Sequence, residues 1–367
     1  MAQRGPDAGD RSRIPRRDLV LGAAGISTLF LPSAQSAASN HVPGPGSGTV
    51  IEEGGAVSGI RTSFVAGDYV VFATYTSPAR VVMLRRSDLA RVGAVTLDEG
   101  ENLCRAAVTD GSNGYFATNT SPARIVKVAL DDLRRIGALT LATGQDAVLA
   151  GTSDGTHGYF ATYTDPSILV KVHLASLTVT ATAQLAVGRV VTAANDGVHG
   201  LFGTYEDLGR VVKVRLGDLT QVATVSLGTN DEPAPLMVES IVIHGGFAYC
   251  TTNTAPGRVV KLRLDDLDIV AEVTLLSGES QPGLLGTDGT DLLAGCFRVS
   301  GGGRAVRIRM SDLLHLGAVE LAESRLSPGA VDGTHAVFGG DNGPARVVKV
   351  AMSGPTRVDG VTLTAPG

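Results

Sequence analysis

Polar side chains that could bind a ligand or carry out acid–base chemistry recur in short segments along this chain. Carboxylates in such segments can act as general acids or bases, hold a divalent cation, or bind a polar ligand. The candidate set is Glu101, Asn102, Gln145, Asp146, Arg189, Asp231, Glu232, Glu239, Glu279 and Arg325. No Ser/His/Asp set, metal-spaced histidine pair or nucleotide-binding loop is legible, which favours binding over catalysis.

Histidines and aspartates in matching turns form two further groups. His157, His199 and His335 each follow an Asp-Gly pair. Zinc needs ligands within about 2 Å, whereas equivalent turns of neighbouring repeats lie roughly 10 Å apart or more, so we predict turn residues and no metal site. A second set of aspartates, each before a leucine, is predicted to fix turns through bonds to backbone N–H groups. These are Asp88, Asp132, Asp218, Asp266 and Asp312.

A lysine series marks the repeat that positions these groups. We use this name for one position of the repeat, which is spaced 42 to 48 residues apart and is occupied by Met83, Lys127, Lys171, Lys213, Lys261, Arg307 and Lys349. A buried lysine must reach solvent or a carboxylate. Since it recurs in copy after copy, we interpret the series as part of the scaffold.

Each copy is predicted to contain four short strands. In the second copy these lie near Arg105–Thr109, Tyr115–Asn119, Ile125–Leu130 and Arg135–Leu141, with an Asp-Gly turn after the first. Four strands, repeated seven times at this period, predict an all-β fold: a seven-bladed β-propeller of four-stranded antiparallel blades over residues 59–363.

The first 58 residues are predicted to lie outside the propeller. Residues 1–38 combine arginines, a 13-residue uncharged run and a small-residue cleavage site, which is typical of a cleaved export signal. Arg16 and Arg17 resemble the pair of a twin-arginine signal, with an ordinary secretory signal as the alternative. Residues 39–58 are predicted to be a linker with a candidate extra strand at Thr49–Val57. The protein would therefore be secreted or periplasmic, with no membrane span in the mature chain.

The charge balance narrows the class of partner. The export segment holds five arginines and three aspartates, which leaves 26 basic and 33 acidic side chains in the rest of the chain. That excess of acid argues against nucleic acid, because phosphate binding needs a basic patch. Cys104, Cys250 and Cys296 are dispersed, and we predict buried free thiols. We expect a monomer that binds a small molecule, a protein or a cell-surface ligand.

The four-strand copy, with its Val-Val-Lys-Val strand followed by a Val-Thr-Leu strand, resembles the bacterial YVTN-type propeller repeats, relatives of the tryptophan–aspartate repeat propellers. The likeness covers residues 59–363, although the matching tetrad here reads Phe-Ala-Thr-Tyr or Phe-Ala-Thr-Asn. It implies the propeller fold. Families of this architecture include surface-layer binding proteins, lactonases, streptogramin lyases and quinoprotein subunits. The likeness assigns no catalytic residue, because fold alone does not establish chemistry.

The predicted fold places the candidate residues together. The first strand of each blade lines the central channel, so the connections that lead into first strands should ring one mouth of it. We therefore predict an exported module that engages a ligand at an acidic channel mouth. The alternative is a propeller lyase or hydrolase, with or without a divalent metal, in which Glu101, Asp231, Glu232 or Glu239 is the general base. No cofactor is legible.

Overall fold

The computed structural model describes residues 59–229, 236–297, 302–323, 326, 329–340 and 344–363. The chain divides into two compact units, Met1–Pro32 and Ser33–Gly367, and all described residues belong to the second. The predicted export signal with Arg16 and Arg17, the predicted linker with its extra strand, and the candidate residues Asp231, Glu232 and Arg325 lie outside the described residues.

Strands and turns make up the described chain, in consecutive groups of four strands that match the sequence repeats. Repeats one to four contain β1 (Ile60–Ala66), β2 (Tyr69–Thr74), β3 (Arg80–Arg85), β4 (Arg91–Thr96), β5 (Cys104–Thr109), β6 (Asn113–Thr118), β7 (Arg124–Ala129), β8 (Arg135–Thr140), β9 (Val148–Ser153), β10 (His157–Thr162), β11 (Ile168–His173), β12 (Thr178–Gln184), β13 (Val190–Asn195), β14 (His199–Glu206), β15 (Arg210–Arg215) and β16 (Thr220–Ser226). Repeats five to seven contain β17 (Leu236–His244), β18 (Phe247–Thr252), β19 (Arg258–Arg263), β20 (Ile269–Thr274), β21 (Ser280–Thr287), β22 (Asp291–Phe297), β23 (Arg304–Arg309), β24 (His315–Glu320), β25 (Gly329–Val331), β26 (His335–Gly339), β27 (Arg346–Ala351) and β28 (Arg357–Thr362). The described residues contain no helix that could cross a membrane.

Each repeat is an antiparallel sheet whose strands pair in chain order. The sheets of repeats four and five are joined, because β14 also pairs with β17 through Tyr205 and Glu206. The first strands lie side by side: β1 contacts β5, each later first strand contacts the next, and β25 contacts β1. The predicted strands of the second repeat agree with β5–β8 to within two residues.

The core lies between neighbouring sheets. Second and third strands are buried on both faces, as in β2 and β3, whereas most fourth strands alternate between exposed and half-buried residues, as in β8; β4 is the exception, with three buried residues. One apolar cluster joins Val71 and Met83 of the first repeat to Phe116 and Val126 of the second. Burying one such side chain contributes about 1.5–3 kcal/mol, so each sheet depends on its neighbours for its stability.

The lysine series joins neighbouring repeats. Lys127 donates to Leu174 O (3.3 Å) and Ala175 O (3.1 Å) of the next repeat. Lys171, Lys213, Lys261, Arg307 and Lys349 make the equivalent bonds to backbone carbonyls, the last of them to the first repeat. The series is structural, as predicted, but the acceptors of its lysines are backbone carbonyls rather than solvent or carboxylates; Arg307 also binds the carboxylate of Asp291.

The aspartates before leucine fix turns, as predicted. Asp132 Oδ1 accepts the N–H of Arg134 at 3.0 Å, and Asp88, Asp218, Asp266 and Asp312 make the same bond. The leucine that follows is left-handed, with φ 52° at Leu133, and is buried. A hydrogen bond from Arg309 lowers the pKa of Asp312 to about 2.

The three cysteines are buried free thiols, as predicted. Burial raises the pKa of each, so they remain protonated at neutral pH. We therefore assign them to the core.

Candidate binding site

Two sets of connections meet at one end of the sheets, which we call the connection end. It is the end at which second strands finish and first strands begin. Leu103 N donates to Thr76 O at 2.9 Å, so the connection entering the second repeat is bonded to the loop after β2 in the first. Ala147 and Arg189 make the same backbone bond to Thr120 and Thr164. The connections that enter first strands therefore lie beside the loops that follow second strands.

Glu101 lies at this end but is fully buried. Its carboxylate accepts from Arg135 Nε at 2.8 Å and Nη2 at 2.5 Å, and from the backbone N–H of Asp98 at 3.0 Å. Both oxygens are thus held by the protein. This carboxylate ties its own loop to the outer strand of the next repeat, and it is poorly placed to act as a general base.

Glu279 and Glu323 repeat the arrangement. Glu279 is buried, accepts the backbone N–H of Leu276 at 3.0 Å and lies 3.1 Å from His315 Nε2. Glu323, which the sequence did not single out, is buried against Arg357 at 3.2 Å. Arg135, His315 and Arg357 sit at or next to the start of their fourth strands. A common spacing of 34 to 36 residues between acid and base is the signal that could have revealed the pairs.

The remaining described candidates fall into two kinds. Gln145 resembles Glu101, since its Oε1 accepts the N–H of Ala142 at 3.1 Å. Arg189 is exposed although its backbone is hydrogen-bonded, and Asn102, Asp146 and Glu239 are half-buried. Among the described residues, Asp146 Oδ1 is shielded from solvent without a hydrogen-bond donor. A buried acceptor of this kind is a natural contact for a ligand or a bound water.

A β-bulge occurs at one position of six first strands. In β5, Cys104 pairs with Thr118 and Ala106 with Ala117, which leaves Arg105 as the extra residue. The bulged residues are Arg61, Arg105, Leu149, Val191, Glu239 and Gly283. A bulge re-aims a side chain out of the pairing pattern, and bulges are common beside binding sites. Register shifts are not visible in a sequence, so five of these residues were missed; Glu239 was predicted.

Tyr75 is contacted by two residues of the next repeat. The Arg105 guanidinium lies 5.8 Å from the centroid of its ring, and Asn119 Nδ2 donates to its hydroxyl at 2.6 Å. The amide of Tyr75 donates to Gly59 O, and the same bond defines an equivalent position in other repeats. The residues at this position are Tyr75, Asn119, Tyr163, Tyr205 and Asn253. All five are half-buried, so the connection end presents aromatic and amide groups beside the bulged residues.

The histidine turns lie at the opposite end of the sheets, where first strands finish and second strands begin. His157 and His199 lie 3.8 and 3.7 Å from the aspartates of their own turns. Within the described ranges, no group of three or more His, Cys, Asp or Glu side chains is arranged to hold a metal ion.

Solved structures share this arrangement of sheets. The chain superposes on the structure of U3-55K with a TM-score of 0.60 at 13% identity, covering 77% of this chain and 88% of that one. Hydrazine synthase of Kuenenia stuttgartiensis gives 0.61 at 14% identity, covering 84% and 100%. The RRP9 WD40 repeats give 0.60 at 12% identity, covering 78% and 92%. The chain is a β-propeller.

At these identities the structural neighbours of the propeller establish its fold alone. No protein-family model matches the sequence, and no curated protein does so. Function must therefore be argued from the residues at the connection end.

Proposed function

We propose that this protein is an exported, seven-bladed propeller that acts as an interaction module and binds its ligand at the connection end. The contact of β25 with β1 and the bond from Lys349 to Arg86 support a ring of seven blades. The arginine pair and apolar run of the first 38 residues support export by the twin-arginine route. The YVTN-type resemblance is consistent with a ring of blades and with export.

The bulged position carries this proposal. Scaffold features recur with one dominant residue type: the lysine series holds lysine in five of seven repeats, and the turn aspartate recurs in five. The bulge recurs in backbone geometry but holds arginine, leucine, valine, glutamate or glycine. A position whose backbone geometry recurs from repeat to repeat, while its side chain differs, is suited to recognition of an asymmetric ligand.

The proposed ligand surface is mixed in charge rather than uniformly acidic. Glu101 and Glu279 are buried beside Arg135 and Arg304 and present no carboxylate to a ligand. Tyr75, Arg105 and Asn119 supply an aromatic face, a cation and an amide from two adjacent blades. Asp146, Arg189 and Glu239 remain from the sequence prediction.

The kind of ligand follows from these groups. Tyrosine, arginine and amide side chains are typical of surfaces that bind polypeptides, and they act as a few anchors within a polar surround. We favour a protein or peptide ligand, bound by a monomeric propeller.

The test is a selection of binders from a displayed peptide library and a glycan array, using the mature chain. We expect ligands whose binding falls at least tenfold in Arg105→Ala and Glu239→Gln. Asp132→Asn and Asp218→Asn, at the opposite end, are the controls and should leave binding unchanged. The proposal is overturned if ligand binding is unchanged in Arg105→Ala and Glu239→Gln but lost in Asp132→Asn and Asp218→Asn, because the site would then lie elsewhere.

A further inference from the structure

The contact between the seventh and first repeats differs from the others at one position. In six repeats the first residue after the third strand is apolar. These residues are Leu130, Leu174, Leu216, Leu264, Met310 and Met352. The first repeat has Arg86 there. The equivalence is fixed by the backbone, since Arg86 N donates to Asp68 O at 2.8 Å as Leu174 N does to Thr156 O at 2.9 Å. Leu174 is fully buried.

A second substitution accompanies the first. In the third repeat the Tyr159 hydroxyl donates to Asp154 at 2.8 Å. The seventh repeat has Val337 in place of that tyrosine, and Asp332 instead binds Arg86, at 3.0 Å from Nη2. Arg86 Nη1 also donates to Gly67 O at 2.6 Å. The arginine side chain is thereby held toward Asp332.

A cleft of about 440 Å³ lies at this contact. Its lining includes Arg85, Arg86, Ser87, Thr334, His335 and Lys349. Lys349 is 7% exposed, so a nearly buried ammonium group borders the cleft. A cleft of this size can hold a small organic molecule rather than a bare ion.

The Lys349 ammonium has an unused N–H donor in this cleft, whereas the buried Asp332 carboxylate already accepts several hydrogen bonds. The Lys349 ammonium has three N–H groups, and two are used by Arg86 O at 2.7 Å and Ser87 O at 3.3 Å. The Asp332 carboxylate already accepts from the N–H groups of Thr334 and His335, the Thr334 hydroxyl and Arg86.

The charged side chains that line the cleft also favour an anion. Two of the three cations of the lining are paired with carboxylates: Arg85 lies 2.7 Å from Asp88, and Arg86 lies 3.0 Å from Asp332. Lys349 forms no ion pair with a carboxylate of the described chain. An anion would therefore meet both an unused donor and an uncompensated positive charge.

We propose that the cleft between the seventh and first repeats binds a small organic anion, a carboxylate or a phosphate ester, through Lys349 and Arg86. The site lies at the opposite end of the sheets from the connection end and is independent of the ligand proposed there.

Thermal unfolding of the full chain with succinate or phenyl phosphate tests this, against sodium chloride at matched ionic strength. We expect one of the two probes at 10 mM to raise Tm by about 2 °C or more, because a ligand that binds only the folded state stabilises it. The shift should disappear in Arg86→Leu, which restores the residue type of the other repeats. It should also disappear in Lys349→Met, which copies Met83 of the first repeat.

Lys127→Met removes an equivalent lysine at a contact between repeats that lacks Arg86, and it should keep the shift. No shift with either probe would overturn the proposal. A shift that survives Arg86→Leu, or that Lys127→Met also abolishes, would do the same by placing the anion elsewhere. The probe that acts distinguishes a carboxylate from a phosphate ester.

Discussion

At the scale of single residues, burial separates the carboxylates that build the scaffold from those that can meet a ligand. Glu101 and Glu279 are enclosed and bonded on both oxygens, whereas Glu239 occupies a bulge at the connection end. Residue type alone does not distinguish them. The contacts that enclose the first two each join a carboxylate in a connection to a fourth-strand residue 34 or 36 positions later.

Glu101→Ala should therefore cost stability and not binding. It removes the partner of Arg135 and the acceptor for the N–H of Asp98, and we expect a loss of about 2–3 kcal/mol in the free energy of unfolding. Glu99→Ala, an exposed neighbour, should stay within about 0.5 kcal/mol. Urea denaturation of both variants measures this. Equal stability of the two variants would show that the Glu101 ion pair contributes nothing.

His335 should make the protein sensitive to acid. Burial, with Lys349 and Arg86 nearby and Asp332 opposing them, lowers the pKa of this imidazole below its ordinary value near 6.5. The unfolded chain then binds a proton that the folded chain does not, so stability falls as pH drops below about 6.5. His335→Gln should flatten that part of the stability curve. An NMR titration that gives His335 a pKa of 6.5 or higher would contradict this.

At the scale of elements, the loops between second and third strands are built by a repeated threonine pattern. Thr162 Oγ1 bonds Thr164 Oγ1 at 2.6 Å and accepts the N–H of Ile168 at 2.8 Å, while Thr164 donates to Pro166 O at 2.8 Å. The same bonds recur around Thr74 and Thr118. These loops are therefore rigid supports for the tyrosine or asparagine that each contains.

Thr162→Val tests the loop. The hydroxyl is buried, and its loss leaves the Ile168 N–H without an acceptor, so we expect destabilisation by about 1–3 kcal/mol. Exchange of the Ile168 amide with deuterium should also become faster. Thr178→Val, on an exposed fourth-strand position, is the matched control. An unchanged Ile168 exchange rate would show that the hydroxyl does not hold the loop.

The elements were the part most open to prediction from sequence. Short segments rich in Val, Ile, Thr and Tyr, separated by turn residues, define β5–β8 to within two residues. The bulge at Arg105 could not be predicted, because pairing register depends on the partner strand. The lysine series was recognised as structural, but its carbonyl acceptors lie in the next repeat, where local sequence gives no information.

At the scale of the whole molecule, a lysine in each of repeats two to five bonds to the next repeat, and Lys349 extends that pattern from the last repeat to the first. In a closed ring the contact from the last repeat to the first should carry such a bond as well. In an open array the terminal one would be weak. The bonds of Lys349 are thus the structural sign of closure.

Lys349→Met and Lys171→Met should lower the free energy of unfolding by similar amounts, about 1–3 kcal/mol each. Lys171 makes the matching bonds to Leu216 O and Gly217 O within the chain of repeats. Urea denaturation of the two variants, each as a single transition, makes the comparison. A loss below about 0.5 kcal/mol for Lys349→Met alone would indicate that the ring is open.

The location of the ligand on the propeller is the most direct test of the proposed function. Hydrogen–deuterium exchange of the mature protein, with and without a selected binder, measures it. We predict slower exchange in the connections at 98–103 and 142–147 and in the loop containing Tyr163, together with unchanged exchange in the turns at 110–113 and 154–157. Protection confined to those turns or to the outer strands would contradict binding at the connection end.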